Sequence, residues 1–285
     1  MIKDYLIAGH RIRIEGADEW VDAVVGLDGF RPFEVEVEGE PLALFNWTDD
    51  MAPEMREVQY ENEVDAIVDS FGRYERGYLF TMNPPECGAL KLWKEDGSSV
   101  VYFNGSLMPR LVRFALWIGY GLVTLPHQTI AIHTSVIQYK ERTVLFLGES
   151  GTGKSTHTRL WREYIEGAVL LNDDSPILRI VDGEVRMFGS PWSGKTPCYK
   201  QENYPLAACV RLSQAPYNKI LRLNIPQAYG ALHPSCPPDF AYDSALYDYI
   251  GGTIGEVLSK VPIYHLACLP DADAARLSCS TVFGE

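Results

Sequence analysis

Thr143-Val-Leu-Phe-Leu-Gly-Glu-Ser-Gly-Thr-Gly-Lys-Ser-Thr156 decides how this chain is read. The apolar run Thr143–Leu147 predicts a buried strand. Gly148–Ser155 then fits the phosphate-loop formula, four residues of any kind between glycines, followed by Lys and a hydroxyl residue. Leu160, Trp161, Tyr164 and Ile165 follow at helical spacing, and Gly167 stands where such a helix stops. Strand, glycine loop and helix in that order form a cradle for phosphate. Glycines let successive backbone N–H groups turn inward, and the helix adds its positive end. Gly148, Ser150, Gly151, Thr152, Gly153, Lys154, Ser155 and Thr156 are therefore the candidate nucleotide-binding residues. Lys154 is expected to reach the β- and γ-phosphates and Ser155 to offer its hydroxyl to Mg²⁺. The ligand expected is ATP or GTP with Mg²⁺.

The same formula recurs at Gly189-Ser-Pro-Trp-Ser-Gly-Lys-Thr196. There Pro191 has no N–H to donate, Trp192 crowds the turn, and Pro197 and Pro205 leave little room for a helix. This second match is read as accidental. Lys195 within it is a candidate to place positive charge on a phosphoryl group in transfer.

Downstream of the loop, Ala168–Asn172 is expected to be a strand that ends in Asp173 and Asp174. A strand returning beside the loop strand opens on the same crevice, so this pair is assigned to metal binding and general-base work. A hairpin is expected over Ile177–Ile180 and Val185–Phe188, turning at Asp182-Gly183. Strands Ala208–Leu212 and Ile263–Cys268, a helix over Tyr242–Ser259 and a closing helix from Asp271 complete the tail. His157, Arg159 and Arg162 are placed on the wet face of the helix after the loop.

Upstream of the loop stand two expected strands, 129–139 and the loop strand itself, joined by Lys140-Glu-Arg142. Before them, Ser106 is expected to cap a helix with Pro109 in its first turn. The first hundred residues read as β-rich, with strands expected at 33–38 and 77–82 and a hairpin at 89–93 and 100–103. His10, Arg11 and Arg13 are placed on an exposed strand face. The expected organisation is a smaller β-rich region, 1–105, followed by an α/β nucleotide-binding domain, 106–285.

Composition narrows the function classes. The net charge of −13 opposes a phosphate backbone, so no nucleic-acid partner is expected. Six scattered cysteines without a paired spacing argue against a zinc site or a disulfide framework. No apolar run approaches the ~20 residues of a membrane span, and the N-terminal stretch has no secretory pattern. A cytoplasmic protein is expected.

His133, the following strand pair, the loop Gly148–Thr156 and the Asp173-Asp174 pair, in that order, resemble the kinase domain of HPr kinase/phosphorylase, which shares its core with phosphoenolpyruvate carboxykinase. The resemblance covers roughly residues 125–190. It implies a mixed-sheet P-loop kinase domain, with Lys154 on phosphate, Ser155 on Mg²⁺, the Asp pair as metal ligand and general base, and His133 near the transferred phosphate. Where that family carries the loop that recognises HPr, this chain has Ser190–Thr196. The resemblance therefore implies transfer from ATP to a hydroxyl, on Ser or Thr of a small protein or peptide other than HPr. A small-molecule kinase and a non-catalytic nucleotide-binding regulatory module are the alternatives.

Overall fold

The protein is described here by a computed structural model, which covers residues 1–194 and 196–284. It is a mixed α/β chain with two mixed sheets, in two compact units. The first unit comprises residues 1–127 and 238–249; the second comprises 128–237 and 250–285.

In the first unit, nine strands form one sheet: β1 (Ile2–Ile7), β2 (His10–Glu15), β3 (Glu34–Val35), β4 (Ala43–Trp47), β5 (Glu57–Val64), β6 (Ile67–Tyr74), β7 (Gly77–Asn83), β8 (Leu90–Glu95) and β9 (Val100–Gly105). Their order is β3-β1-β2-β4-β9-β8-β7-β6-β5. Helices α1 (Asp18–Val25) and α2 (Pro109–Thr124) belong to the same unit. Its core is aromatic: Trp20 stacks on Phe103, with ring centroids 4.8 Å apart, and Phe45 tilts against the same ring. Phe240, from the late segment 238–249, meets Phe71 edge to face. It also lies against Gly121 of α2, where a Cβ would come within 2.6 Å of the ring.

Three expectations for this region change. The 33–38 strand shrinks to Glu34–Val35, because Arg11 occupies the carbonyls of Val37 and Glu38 with its guanidinium and no strand pairs there. His10 is buried rather than exposed: alternation along β2 sends it inward with Ile12 and Ile14, near the rings of Tyr120 and His127. Met108, not Ser106, occupies the position before α2; the Ser106 hydroxyl accepts from the Met108 N–H instead.

In the second unit the strands are β10 (Thr129–Ala131), β11 (Thr134–Tyr139), β12 (Arg142–Leu147), β13 (Val169–Asp174), β14 (Ile177–Val181), β15 (Glu184–Phe188), β16 (Asn203–Gln214), β17 (Lys219–Arg222) and β18 (Ile263–Cys268). The path runs β10-β14-β15-β16-β12-β11-β13, with β18 also on β16 and β17 on β18. β12 pairs in parallel with β16, and β16 in parallel with β18. β11 is antiparallel to both β12 and β13, so β13 runs with β12. Four strands, β12, β13, β16 and β18, therefore end at the same edge of the sheet. Ligands of α/β sheets bind at such an edge.

Helices α3 (Lys154–Tyr164), α4 (Ile225–Leu232) and α6 (Ala272–Phe283) belong to this unit, and α5 (Ser244–Lys260) is divided between the two, its residues up to 249 counting with the first. Leu160 and Trp161 of α3 and Ala275 and Cys279 of α6 pack with Phe146, Val210, Leu212 and Leu266 of the sheet. Trp161 is fully buried, and its indole N–H donates to Ser278 Oγ at 2.9 Å. The 177–188 hairpin forms as expected, with positive φ at both Asp182 and Gly183.

Burial raises the pKa of two neighbouring carboxylates of the first unit, Asp69 and Asp239, and Asp239 sets the larger pH dependence. Asp239 is 3% exposed and its Oδ1 has no hydrogen-bond partner. Burial, with the neighbouring charge of Asp69 adding to it, pushes its pKa up to about 7. The unfolded chain ionises this group near the ordinary value, so ionisation works against the fold. Stability is fully present below about pH 4 and declines as pH rises towards 7. Burial pushes the pKa of Asp243 up, but hydrogen bonds from Arg73, the Leu246 N–H and Gln59 outweigh it and leave the group lowered, so its contribution changes only below that window. Asp239→Asn should flatten the decline between pH 5 and 8 and leave the protein more stable than wild type at pH 8. Urea denaturation at the two pH values measures this; an unchanged slope would contradict it.

Candidate functional site

The loop after β12 follows from its residues. Gly148 has φ 154°, and a Cβ there would lie 2.4 Å from Thr152 Oγ1. Only glycine leaves room for the loop to close on itself. Thr152 then braces the turn, with its N–H and its hydroxyl both donating to the Glu149 carbonyl. Gly153, at φ 106°, turns the chain into α3, and no side chain caps the helix there. The positive end of the helix and its first-turn N–H groups thus open towards the loop.

Lys154 is the first residue of α3 and is half-buried. Its ammonium donates to the carbonyls of Gly148 at 2.7 Å and Glu149 at 3.2 Å. Burial lowers its pKa, while the carboxylates of Asp174 and Asp173 act in the opposite direction. Ser155 Oγ donates to Asp173 Oδ1 at 3.2 Å. Ser135 Oγ, on β11, donates to the same oxygen. Asp173 is 7% exposed, so one buried carboxylate oxygen gathers two hydroxyls from separate elements.

Asp174 points elsewhere. Consecutive strand residues face opposite sides unless the backbone bends. Here the bend is explicit: Asp174 has φ 147°, rare for a residue with a side chain. Its Oδ1 lies 3.2 Å from His133 Nδ1, and the imidazole is exposed. The two acids thus serve two neighbours, Asp173 the loop serine and Asp174 the histidine. His133 is itself anchored through its N–H to the Ser235 carbonyl at 2.7 Å.

The 189–198 segment packs under this strand end. Trp192 and Ser190 are buried, no helix follows, and the second formula match has no strand–loop–helix setting. The Gly194 N–H donates to the Asp173 carbonyl at 2.6 Å, and Ser193 bridges Asp174. Lys195 lies outside the described residues. What binds the segment is Asn172, fully buried, whose amide donates to Ser190 Oγ and to the carbonyls of Trp192 and Cys198. Its carbonyl oxygen accepts from the Ser175 N–H at 3.1 Å.

Two further residues stand differently from expectation or were not foreseen. His157 is buried rather than wet, because its place on α3 turns it onto Phe146 and against Ser278 Oγ at 3.1 Å. Burial lowers its pKa to about 4, so the ring is neutral at pH 7. Arg211, near the end of β16, is opposite Leu147 in the sheet; its guanidinium donates to the Ala231 carbonyl at 3.4 Å and stands 3.6 Å from Glu149. The signal for it in sequence is a lone charge within the apolar run Ala208–Leu212.

Among the described residues no group of three or more His, Cys, Asp or Glu is placed to hold a metal by itself. Mg²⁺ asks for less: one or two carboxylates, with substrate phosphates and water completing the shell. Ser155 Oγ and Asp173 Oδ1 fit that requirement. No helix among the described residues is long and apolar enough to cross a membrane. No family model matches the chain, and no curated protein matches it.

Asn172 yields a direct test of how the strand end is held. Asn172→Ala takes its partner from the buried Ser175 N–H and a donor from the part-buried Cys198 carbonyl, while the Trp192 carbonyl keeps the Ser190 hydroxyl, and should cost about 1–3 kcal/mol for the buried N–H left unsatisfied. Urea unfolding should show the loss. Asn172→Asp, which cannot donate when ionised, should be no better.

Proposed function

We propose that this protein is an ATP-dependent phosphotransferase that moves the γ-phosphoryl group to a hydroxyl. The observation that carries the reading is the glycine loop between β12 and α3, with Lys154 at the start of that helix bonded back to the loop carbonyls and the Ser155 hydroxyl on Asp173. The order of His133, loop and Asp pair along the chain, similar to HPr kinase/phosphorylase, supports a Ser or Thr hydroxyl of a small protein or peptide as acceptor.

In this reading the loop N–H groups and Lys154 bind the β- and γ-phosphates, and Lys154 exchanges its two carbonyl partners for phosphate oxygens. Ser155 and Asp173 would hold Mg²⁺, which when bound neutralises charge on the β- and γ-phosphates. Asp174 takes the proton of the acceptor hydroxyl. The acceptor oxygen forms its bond to the γ-phosphorus as the bond to the bridging oxygen breaks, and the electron pair leaves with ADP. His133 holds Asp174 in place through the 3.2 Å contact. The exposure of His133 leaves the acceptor side open to a macromolecular substrate.

The test separates binding from chemistry. Lys154→Ala should weaken Mg·ATP binding by about 1.5–3 kcal/mol in calorimetry, the worth of a charge-assisted contact. Asp174→Asn should keep ATP binding and lower transfer by about 10²–10⁴-fold. Asp173→Asn should weaken binding of Mg·ATP as well. Transfer is read by mass spectrometry of peptides and metabolites after incubation with labelled ATP. Normal transfer by both Asp variants would remove the proposed base, and ATP binding without transfer would make a nucleotide-binding regulatory module the better account.

A further inference from the structure

A cavity of about 520 Å³ lies within the first unit and uses no residue of the glycine loop. Three strands supply one side of it. Arg73 of β6 is opposite Tyr78 of β7, and Tyr78 is opposite Lys94 of β8, so the three side chains stand in a row on one face of the sheet. The turn after β8, with Asp96 and Ser99, borders the row. Leu122 and Val123 at the end of α2, and Leu246 in the part of α5 that counts with this unit, make the facing wall apolar. Apolar walls with a few placed polar groups, in a volume of this size, are the features of a small-molecule site.

The charged groups of the row are unevenly matched. The Arg73 guanidinium donates to Asp243 Oδ2, to both carboxylate oxygens of Asp96 and to the Tyr78 hydroxyl, at distances between 2.7 and 2.9 Å. Asp243 is buried, accepts further from Tyr78 and Gln59, and caps α5 through the N–H groups of Ala245 and Leu246. The positive end of that helix is therefore occupied from within the chain. Lys94 is matched by nothing comparable. Among the described residues its ammonium donates only to the carbonyl of the next residue, Glu95, at 3.2 Å. The side chain is half-buried, and burial lowers its pKa; Asp96 opposes that effect and Arg73 adds to it. A cation taken from water without a contacting anion is destabilised, and an anion arriving beside it relieves that.

We propose that this cavity binds a small monocarboxylate with an apolar body, the carboxylate on Lys94 and the body against Leu122, Val123 and Leu246. The lining favours a single negative charge. Asp96 borders the same space, so a phosphate dianion or a polyphosphate would meet repulsion there with only Lys94 to offset it. The site is independent of the phosphotransferase reading and stands or falls without it.

Ligand-observed saturation-transfer NMR titrations of the full chain test the assignment, with hexanoate and phenylpropanoate as probes and hexanol, hexylamine and inorganic phosphate as controls. Both carboxylates should bind wild type, and hexanoate should bind at least about tenfold more tightly than hexanol, the effect of one charge-assisted contact. Lys94→Met should weaken hexanoate by about tenfold or more and leave hexanol unchanged. Ser99→Trp, which fills the cavity from its exposed rim, should weaken both. Lys154→Ala should bind hexanoate as wild type does; loss of binding there would move the carboxylate to the glycine loop and overturn the site. Failure of wild type to bind either carboxylate would overturn it, as would equal hexanoate affinity in wild type and Lys94→Met. Tighter binding of phosphate or hexylamine than of hexanoate would overturn the ligand class. A further measurement needs no variant. Reductive methylation of the wild-type chain, read by mass spectrometry, should be slowed by hexanoate at Lys94 and unchanged at Lys91, which alternation along β8 turns to the other face of the sheet. Equal protection of the two lysines, or none, would overturn the proposal.

Discussion

Everything at this site depends on how a lysine is kept charged in a place that disfavours charge. Lys154 is half-buried at the start of a helix, where the helix's own positive end adds to the burden. Burial lowers its pKa, and the two aspartates at the end of β13 oppose that effect. Its ammonium rests on two loop carbonyls, which are dipoles rather than full charges. An anion arriving in the loop would meet a cation that is desolvated in advance and positioned by the chain, which is the condition under which a charge-assisted contact is strong. The sheet supplies the other half of the arrangement by ending β12 and β13 at the same edge, so that loop and carboxylates face each other without any long side chain having to reach.

The division of labour between the acids is a backbone matter. A regular strand would have sent Asp173 and Asp174 to opposite faces of the sheet. Asp174 departs from a regular strand with φ 147°, a backbone that costs of order 1–3 kcal/mol, and the Asn172 network and the Gly194 hydrogen bond to the Asp173 carbonyl hold the same strand end. The segment that matches the phosphate-loop formula a second time thus acts as the support that holds the strand end in its bent form.

Sequence made the centre of the site legible because its chemistry is local. The strand, loop and helix over 143–164, the Asp pair, and the hairpin at Asp182-Gly183 all depend on neighbours within a few residues, and β18 was placed to the residue. What remained hidden depends on distant partners. His157 reads as a polar residue in a charged helix, and only α6, more than a hundred residues later, buries it. Val37 reads as part of an alternating strand until Arg11 takes the carbonyls nearby. Asn172 reads as the last residue of a strand, and its role emerges from contacts with 190, 192 and 198. β5 and β6 have no counterpart among the expected elements, although Val58, Tyr60 and Val64 alternate with polar residues along β5. The first compact unit runs to residue 127 and so takes in α2, and the return of 238–249 to it has no local signal at all.

That return has a consequence for how the chain is made. The first unit needs Phe240 against Phe71, and Asp243 on Arg73 and Tyr78, before its core and its polar network are whole. A ribosome delivers those residues only after it has synthesised residues 128–237 of the second unit. At about 5–20 residues per second the wait is on the order of ten seconds, far longer than a β-rich domain needs to collapse. Meanwhile the nascent sheet would present an unfilled aromatic socket beside Phe71 and Gly121, the kind of transient apolar surface that chaperones hold.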